Sequence, residues 1–243
     1  MHFINKNSGN NKLEFNYLKS MRYWHRPGGG LSEVLRKMKG KNTTDPTLLD
    51  KSYIELYIGS LFATCLQESE KLDFWIGRPD TDPPDMALMT MIPDEKKRIK
   101  FHSREIEITR FIQGRNSLID TILNKDIPYP GNYIIVCFLE MTGVVEFKKL
   151  SDQLVKRLKN IHHVFLLFHG VSLSELEKLS EKQEAIKKVT LVQLAPVFDA
   201  QMIDISDCLE KWRLDNKKLV YIEEGKVYYG LRDNETIIPK IIL

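Results

Sequence analysis

The sequence predicts an α/β fold, a mainly parallel sheet covered by helices. Two observations carry that expectation. Tyr133–Leu139 and Val164–Phe168 are apolar on both faces, as strands buried within a covered sheet must be. Around them lie segments whose apolar residues recur at helical spacing, such as Phe147, Leu150, Leu154 and Leu158, joined by short connections.

The elements follow in order. Residues 1–45 form a basic N-terminal extension: nine Lys or Arg stand against two Glu between Met1 and Lys41, so that stretch carries +7 and the remainder −4. A polyanion partner and a solvated basic arm explain this equally well. Gly28-Gly29-Gly30 reads as a flexible turn, because the rest of a P-loop is missing. A short basic helix, Leu31–Met38, follows it. Asp45-Pro46 offers an N-cap acceptor and a first-turn proline for a helix running to about Lys71. Its apolar positions are Ile54, Tyr57, Ile58, Leu61, Phe62, Cys65 and Leu66.

Two strands, Met86–Ile92 and Lys100–Phe111, flank the turn Pro93–Lys97. A helix from Arg115 to Asn124 stops before Pro128 and Pro130. After the Tyr133 strand come the Phe147–Leu158 helix, the Val164 strand, a charged helix Ser174–Lys187 and a strand Val189–Leu194. Lys218–Ile222 and Lys226–Leu231 around Glu224-Gly225 read as a β-hairpin followed by an extended tail. The expected division is 1–45, a core over 46–200, and a C-terminal β-rich extension over 201–243 packed on that core.

Composition removes several function classes. No apolar run approaches the ~18 residues needed to span a bilayer, and the first residues lack the apolar core of a secretory signal. A soluble, cytoplasmic protein with no membrane partner is expected. Cys65, Cys137 and Cys208 are too scattered for a cysteine zinc site or a disulfide framework. His162 and His163, adjacent in a strand, point to opposite faces and cannot share an ion. The absence of G-x-G-x-x-G, of a P-loop and of G-x-S-x-G argues against nucleotide-cofactor enzymes and serine hydrolases.

Three carboxylates hold more interest. Glu68 shares a helical stripe with Leu61, Cys65 and Leu72, although fraying after Leu66 would leave it in water. Asp85 follows Pro83-Pro84, whose extended backbone delivers it to the mouth of a strand. Pro79-Asp80 is a second Pro-Asp pair, but Asp80 and Asp82 lie in the loop. On the returning strand Glu105, Glu107 and Thr109 share one face and Ile106 and Ile108 the other. Converging carboxylates repel unless a cation lies between them, and all-oxygen sites suit Mg²⁺ or Mn²⁺.

Glu68, then Pro84-Asp85, then Glu107-Ile108-Thr109, followed by a helix and a buried strand, resembles the core of the PD-(D/E)xK (restriction-endonuclease-like) nucleases over about half the chain. The resemblance implies a mixed central sheet flanked by helices, with the C-terminal β-hairpin added. It further implies an enzyme in which Asp85 and Glu107, assisted by Glu68, hold Mg²⁺ or Mn²⁺ and hydrolyse phosphodiester bonds of DNA or RNA. Thr109 occupies the family's lysine position. In Glu-x-Thr variants of the family a lysine on the following helix substitutes. Here Lys125 and Arg115 are the candidates, with Gln113 to orient water, though each also reads as a surface residue.

Arg36, Lys37, Lys39 and Lys41 are the expected nucleic-acid contacts. Lys148, Lys149, Lys156, Arg157 and Lys159 read more simply as a solvated helix face. A second copy of the chain or a partner subunit is also admitted. The missing lysine supports the alternative, a catalytically inactive nuclease-fold module that binds nucleic acid or protein.

Overall fold

The computed structural model describes residues 23–43, 45, 48–79, 84–93, 99–126, 133–141, 145–160, 163–169, 188–205, 218–223, 226–231 and 240–241. The chain is α/β, with helices and a mixed β-structure. It divides into two compact units: Met1–Arg104 with Cys208–Leu243, and Glu105–Asp207. Among the described residues no helix is long and apolar enough to cross a membrane.

The first unit contains β1 (Tyr23–His25), α1 (Pro27–Gly40), α2 (Lys51–Glu70), β2 (Phe74–Gly77), β3 (Met86–Pro93), the first half of β4 (Ile99–Ile112), β9 (Lys218–Glu223), β10 (Lys226–Leu231) and β11 (Lys240–Ile241). Its strands run in the order β11-β10-β9-β1-β2-β3, every pair antiparallel. Residues Leu56 to Leu66 of α2 are all buried. A helix covered on every side has no single apolar stripe, which is why its sequence reads as nearly continuous hydrophobicity.

Three expectations are corrected here. The triple glycine is helical: Pro27 takes the first position of α1, and Gly28 and Gly30 are buried in its first turn. A Cβ at Gly30 would collide with Ser60 Oγ and approach Ile76 Cδ1 to 2.9 Å. The helix therefore gives up roughly 1 kcal/mol of propensity per glycine to lie close against α2 and β2. Next, α2 starts after Asp50 rather than at Asp45, since Asp50 is the extended residue whose carbonyl accepts from Tyr53 and Ile54. Last, β1 and β2 were not anticipated, because three or four residues are too few for periodicity to show.

Arg26 joins these pieces. Its guanidinium, buried, donates to Asp73 at 2.6 Å and lies 5.0 Å over the Trp75 ring. The buried apolar residues of this unit include Trp24, Leu31, Val34, Phe62, Phe74 and Ile76.

The second unit contains the end of β4, α3 (Leu118–Leu123), β5 (Ile134–Glu140), α4 (Phe147–Val155), β6 (His163–His169), β7 (Lys188–Ala195) and β8 (Asp199–Asp204), with strand order β4-β5-β6-β7-β8. β4 pairs parallel with β5, in register Glu107 to Ile135, and β5 parallel with β6. β7 pairs antiparallel with β6 and β8 with β7, so the sheet is mixed, as expected from the resemblance, and not mainly parallel, as the alternation of strands and helices alone suggested. α3 is shorter than expected because Ser117 is its cap: Ser117 Oγ accepts from the Asp120 amide at 3.1 Å. The core joins Ile122, Tyr133, Ile135, Cys137, Leu154, Val164, Leu166 and Leu194. The expected helix Ser174–Lys187, the turn Glu224-Gly225 and most of the tail lie outside the described residues.

Candidate functional site

In the first unit Asp85 stands immediately before β3, its side chain 3% exposed. Lys51 Nζ, on the first turn of α2, lies 3.9 Å from Asp85 Oδ1 and 3.2 Å from Glu55 Oε1. Glu55 is the acid that meets Asp85. Burial first, then the Asp85 charge and a hydrogen bond between the two side chains, raise the Glu55 pKa against the opposing pull of Lys51.

Glu68 is placed elsewhere. It lies thirteen residues beyond Glu55 on the same helix, about 20 Å at 1.5 Å per residue. It is partly exposed and paired with Lys71 at 3.3 Å. The helix continues through Glu70, so Glu68 is not frayed; it is simply at the far end from Asp85. The signal for Glu55 was present in the sequence, since Glu55, Ile58 and Phe62 form a stripe at steps of three and four. Asp80, Asp82 and Pro83 lie outside the described residues.

In the second unit Glu107 is buried, its side chain 3% exposed, and its Oε2 accepts from Lys125 Nζ at 2.8 Å. Lys125 comes just after Asn124, the C-cap of α3, and Tyr133 donates its hydroxyl to the Lys125 carbonyl at 2.8 Å, which pins that turn. Glu105, two residues before Glu107, has its pKa raised by burial and then by the Glu107 charge. The period-two alternation of β4 sets Glu105, Glu107 and Thr109 on one face, as expected.

Beyond Glu107 along β4 opens a pocket of about 280 Å³, lined by Thr109, Arg110, Arg115, Asn116, Asn124 and Lys125 among others. Arg110 is clamped by both oxygens of Glu140 on β5, at 2.5 and 2.8 Å. Arg115 and Gln113 are exposed in the turn after β4. No ion pair reaches Arg115 among the described residues. The structure thus brings Lys125, Thr109 and Arg115 to one place, with Glu107 salt-bridged to Lys125.

The remaining candidates are solvated. Arg36, Lys39 and Lys41 are exposed on and after α1, Lys37 covers the Tyr53 ring at 5.0 Å, and Lys41 approaches Asp50 at 3.4 Å. Lys148 and Lys149 pair with Asp152 and Glu146, and Arg157 with Asp120 at 2.9 Å. Exposed pairs of this kind contribute about 0–1 kcal/mol. The Asp120 carboxyl is held below its usual range, first by the Ser117 hydroxyl and then by Arg157. Burial pushes the His169 pKa down to about 4, so it is neutral at physiological pH.

Among the described residues no group of three or more His, Cys, Asp or Glu side chains lies close enough to hold a metal ion. Carboxylates gather instead in twos, Glu55 with Asp85 and Glu105 with Glu107. Carboxylate oxygens are hard donors, of the kind that Mg²⁺ and Mn²⁺ prefer, but here Glu55, Asp85 and Glu107 each face a lysine. Comparison with known proteins finds no matching family model, no matching curated protein and no matching solved structure.

Proposed function

We propose that the chain is a divalent-metal-dependent nuclease of the PD-(D/E)xK kind, hydrolysing phosphodiester bonds of DNA or RNA. The observation that carries this reading is the 2.8 Å contact of Lys125 with buried Glu107. A Glu-x-Thr variant takes its lysine from the helix after the acid-bearing strand, and here Lys125 supplies one from the turn that closes that helix. It stands beside Thr109, which occupies the position left without a lysine.

In this reading Asp85 and Glu107 are the metal-binding acids, and Glu55 replaces Glu68 as the helix-borne assistant. A bound divalent cation supplies Lewis-acid chemistry, polarising a phosphoryl oxygen and acidifying water. The chain's own residues do the rest. Lys125 balances the Glu107 charge and presents further N–H donors toward the pocket. The Thr109 hydroxyl both donates and accepts, so it can orient a water. Arg110 is held in place by Glu140, which also balances its charge. The restriction-endonuclease-like core and the packing of a C-terminal hairpin belong to the same proposal.

The test compares wild type with Asp85→Asn and Glu107→Gln on single- and double-stranded DNA and RNA, with Mn²⁺, Mg²⁺ or chelator. Cleavage that needs the metal and is lost in both variants, while thermal melting stays cooperative, supports the reading. Equal activity in all three proteins, or no cleavage together with no Mn²⁺ binding by calorimetry, rejects it and favours a non-catalytic binding module.

A further inference from the structure

We propose that the pocket between the end of β4 and α3 takes a single unpaired nucleotide, its phosphate on Arg115 and Lys125. The inference deepens the nuclease reading and rests on it for the source of the nucleotide; the chemistry of the pocket stands apart from it. The lining holds three cations and no carboxylate. Arg110 is matched by Glu140, and Lys125 by Glu107, both acids lying outside the lining. Arg115 has no ion pair among the described residues, so the lining carries a positive charge with no counter-charge there.

A guanidinium in a fixed fork matches the oxygens of a phosphate. The ammonium of Lys125 carries three donors, so a bond to Glu107 is compatible with another to an arriving phosphate. This would seat the phosphate against the same lysine that touches Glu107.

Size narrows the ligand. At ~30 Å³ per water, a pocket of about 280 Å³ holds roughly nine waters' worth of volume. That is room for a phosphate with its attached sugar. Asn116, Asn124 and Thr109 supply amide and hydroxyl groups that suit a hydroxyl-bearing ring. A nucleotide locked in a duplex cannot enter such a concavity without unpairing. The ligand is accordingly a strand end or a single strand.

The experiment uses the full chain without metal. Inorganic phosphate, a nucleoside monophosphate, a short single-stranded oligonucleotide and its duplex are titrated, following amide resonances of residues 109–125 and calorimetric affinity. The expected result is that the monophosphate and the single strand bind more tightly than phosphate or duplex. Arg115→Ala, at an exposed turn position, weakens the monophosphate about tenfold. Unchanged affinity in Arg115→Ala, shifts confined to other residues, or duplex binding equal to single strand overturns the proposal. Monophosphate binding through Arg115 in a chain that cleaves nothing would keep this site and reject the nuclease reading. Metal-dependent cleavage with no role for Arg115 in binding would do the reverse.

Discussion

Replacing Lys125 by alanine tests the site through stability alone, with no assumption about substrate. Removing one partner of a fully buried ion pair costs about 3–5 kcal/mol, because the other charge stays in a poorly solvated place. Here Glu107 is 3% exposed but Lys125 is 27% exposed, so water can enter where the ammonium was. The loss should fall to about 2–3 kcal/mol at pH 7, or roughly 4–12 °C in melting temperature for a chain of this length. Urea denaturation followed by circular dichroism measures it. A double-mutant cycle with Glu107→Gln separates the pair from packing: the double variant should be more stable than the sum of the single losses implies. A Lys125→Ala protein within about 0.5 kcal/mol of wild type would mean that the pair behaves as an ordinary surface bridge. The reasoning from burial to site would then be wrong.

Other outcomes follow from the same geometry. Gly30→Ala should destabilise by about 1–3 kcal/mol through collision with Ser60, and a melting temperature at or above wild type would contradict the close packing of α1 on α2. Glu105 has a raised folded pKa; a carboxyl of this kind penalises the folded state above its folded pKa, and the penalty vanishes below its unfolded value. Glu105→Gln should therefore raise the melting temperature near pH 7 and leave it unchanged near pH 4, and the opposite order would show that Glu105 is favourably paired. If α1 contacts nucleic acid, Arg36→Gln with Lys39→Gln should flatten the salt dependence by about 0.9 per lost phosphate contact on duplex DNA, whereas an unchanged slope assigns those charges to solvent. Deleting residues 1–41 is unsuitable for that test, because it removes Trp24, Leu31 and Val34 from the core.

How legible this was in the sequence varied with the physical signal. Strands buried on both faces, β5 and β6, announce themselves by unbroken apolar runs and fall within one residue of expectation. The direction of β7 did not, because apolarity says nothing about polarity of pairing, and β-α-β alternation assumed a helix crossover over 174–187. The triple glycine misled for a local reason. Glycine is usually read through its backbone freedom, whereas Gly30 serves through its missing side chain, a tertiary fact. Lys125 was legible only as one of two cations after β4; its contact with Glu107 depends on how the turn after α3 is pinned by Tyr133.

The choice between Glu55 and Glu68 shows where pattern reading runs out. Both acids satisfy the same test, a carboxylate on an apolar helical stripe, and about 20 Å of helix separates them. Nothing local to α2 decides which end faces the Asp85 loop. The decision is made by the chain after the helix: Lys71 turns left-handed, at φ 55°, and β2 returns antiparallel to β3. Asp85 then emerges beside the start of α2, where Lys51 and Glu55 are waiting. This predicts a sharp asymmetry in metal binding. Glu55→Gln should weaken Mn²⁺ binding, because it removes the carboxylate that stands with Asp85 against Lys51, while Glu68→Gln, at a residue already paired with Lys71, should leave it unchanged. Calorimetry on the two variants decides the matter. Loss in Glu68→Gln alone would return the helix-borne role to the acid that the stripe first suggested, and would require α2 to present its other end to the ion.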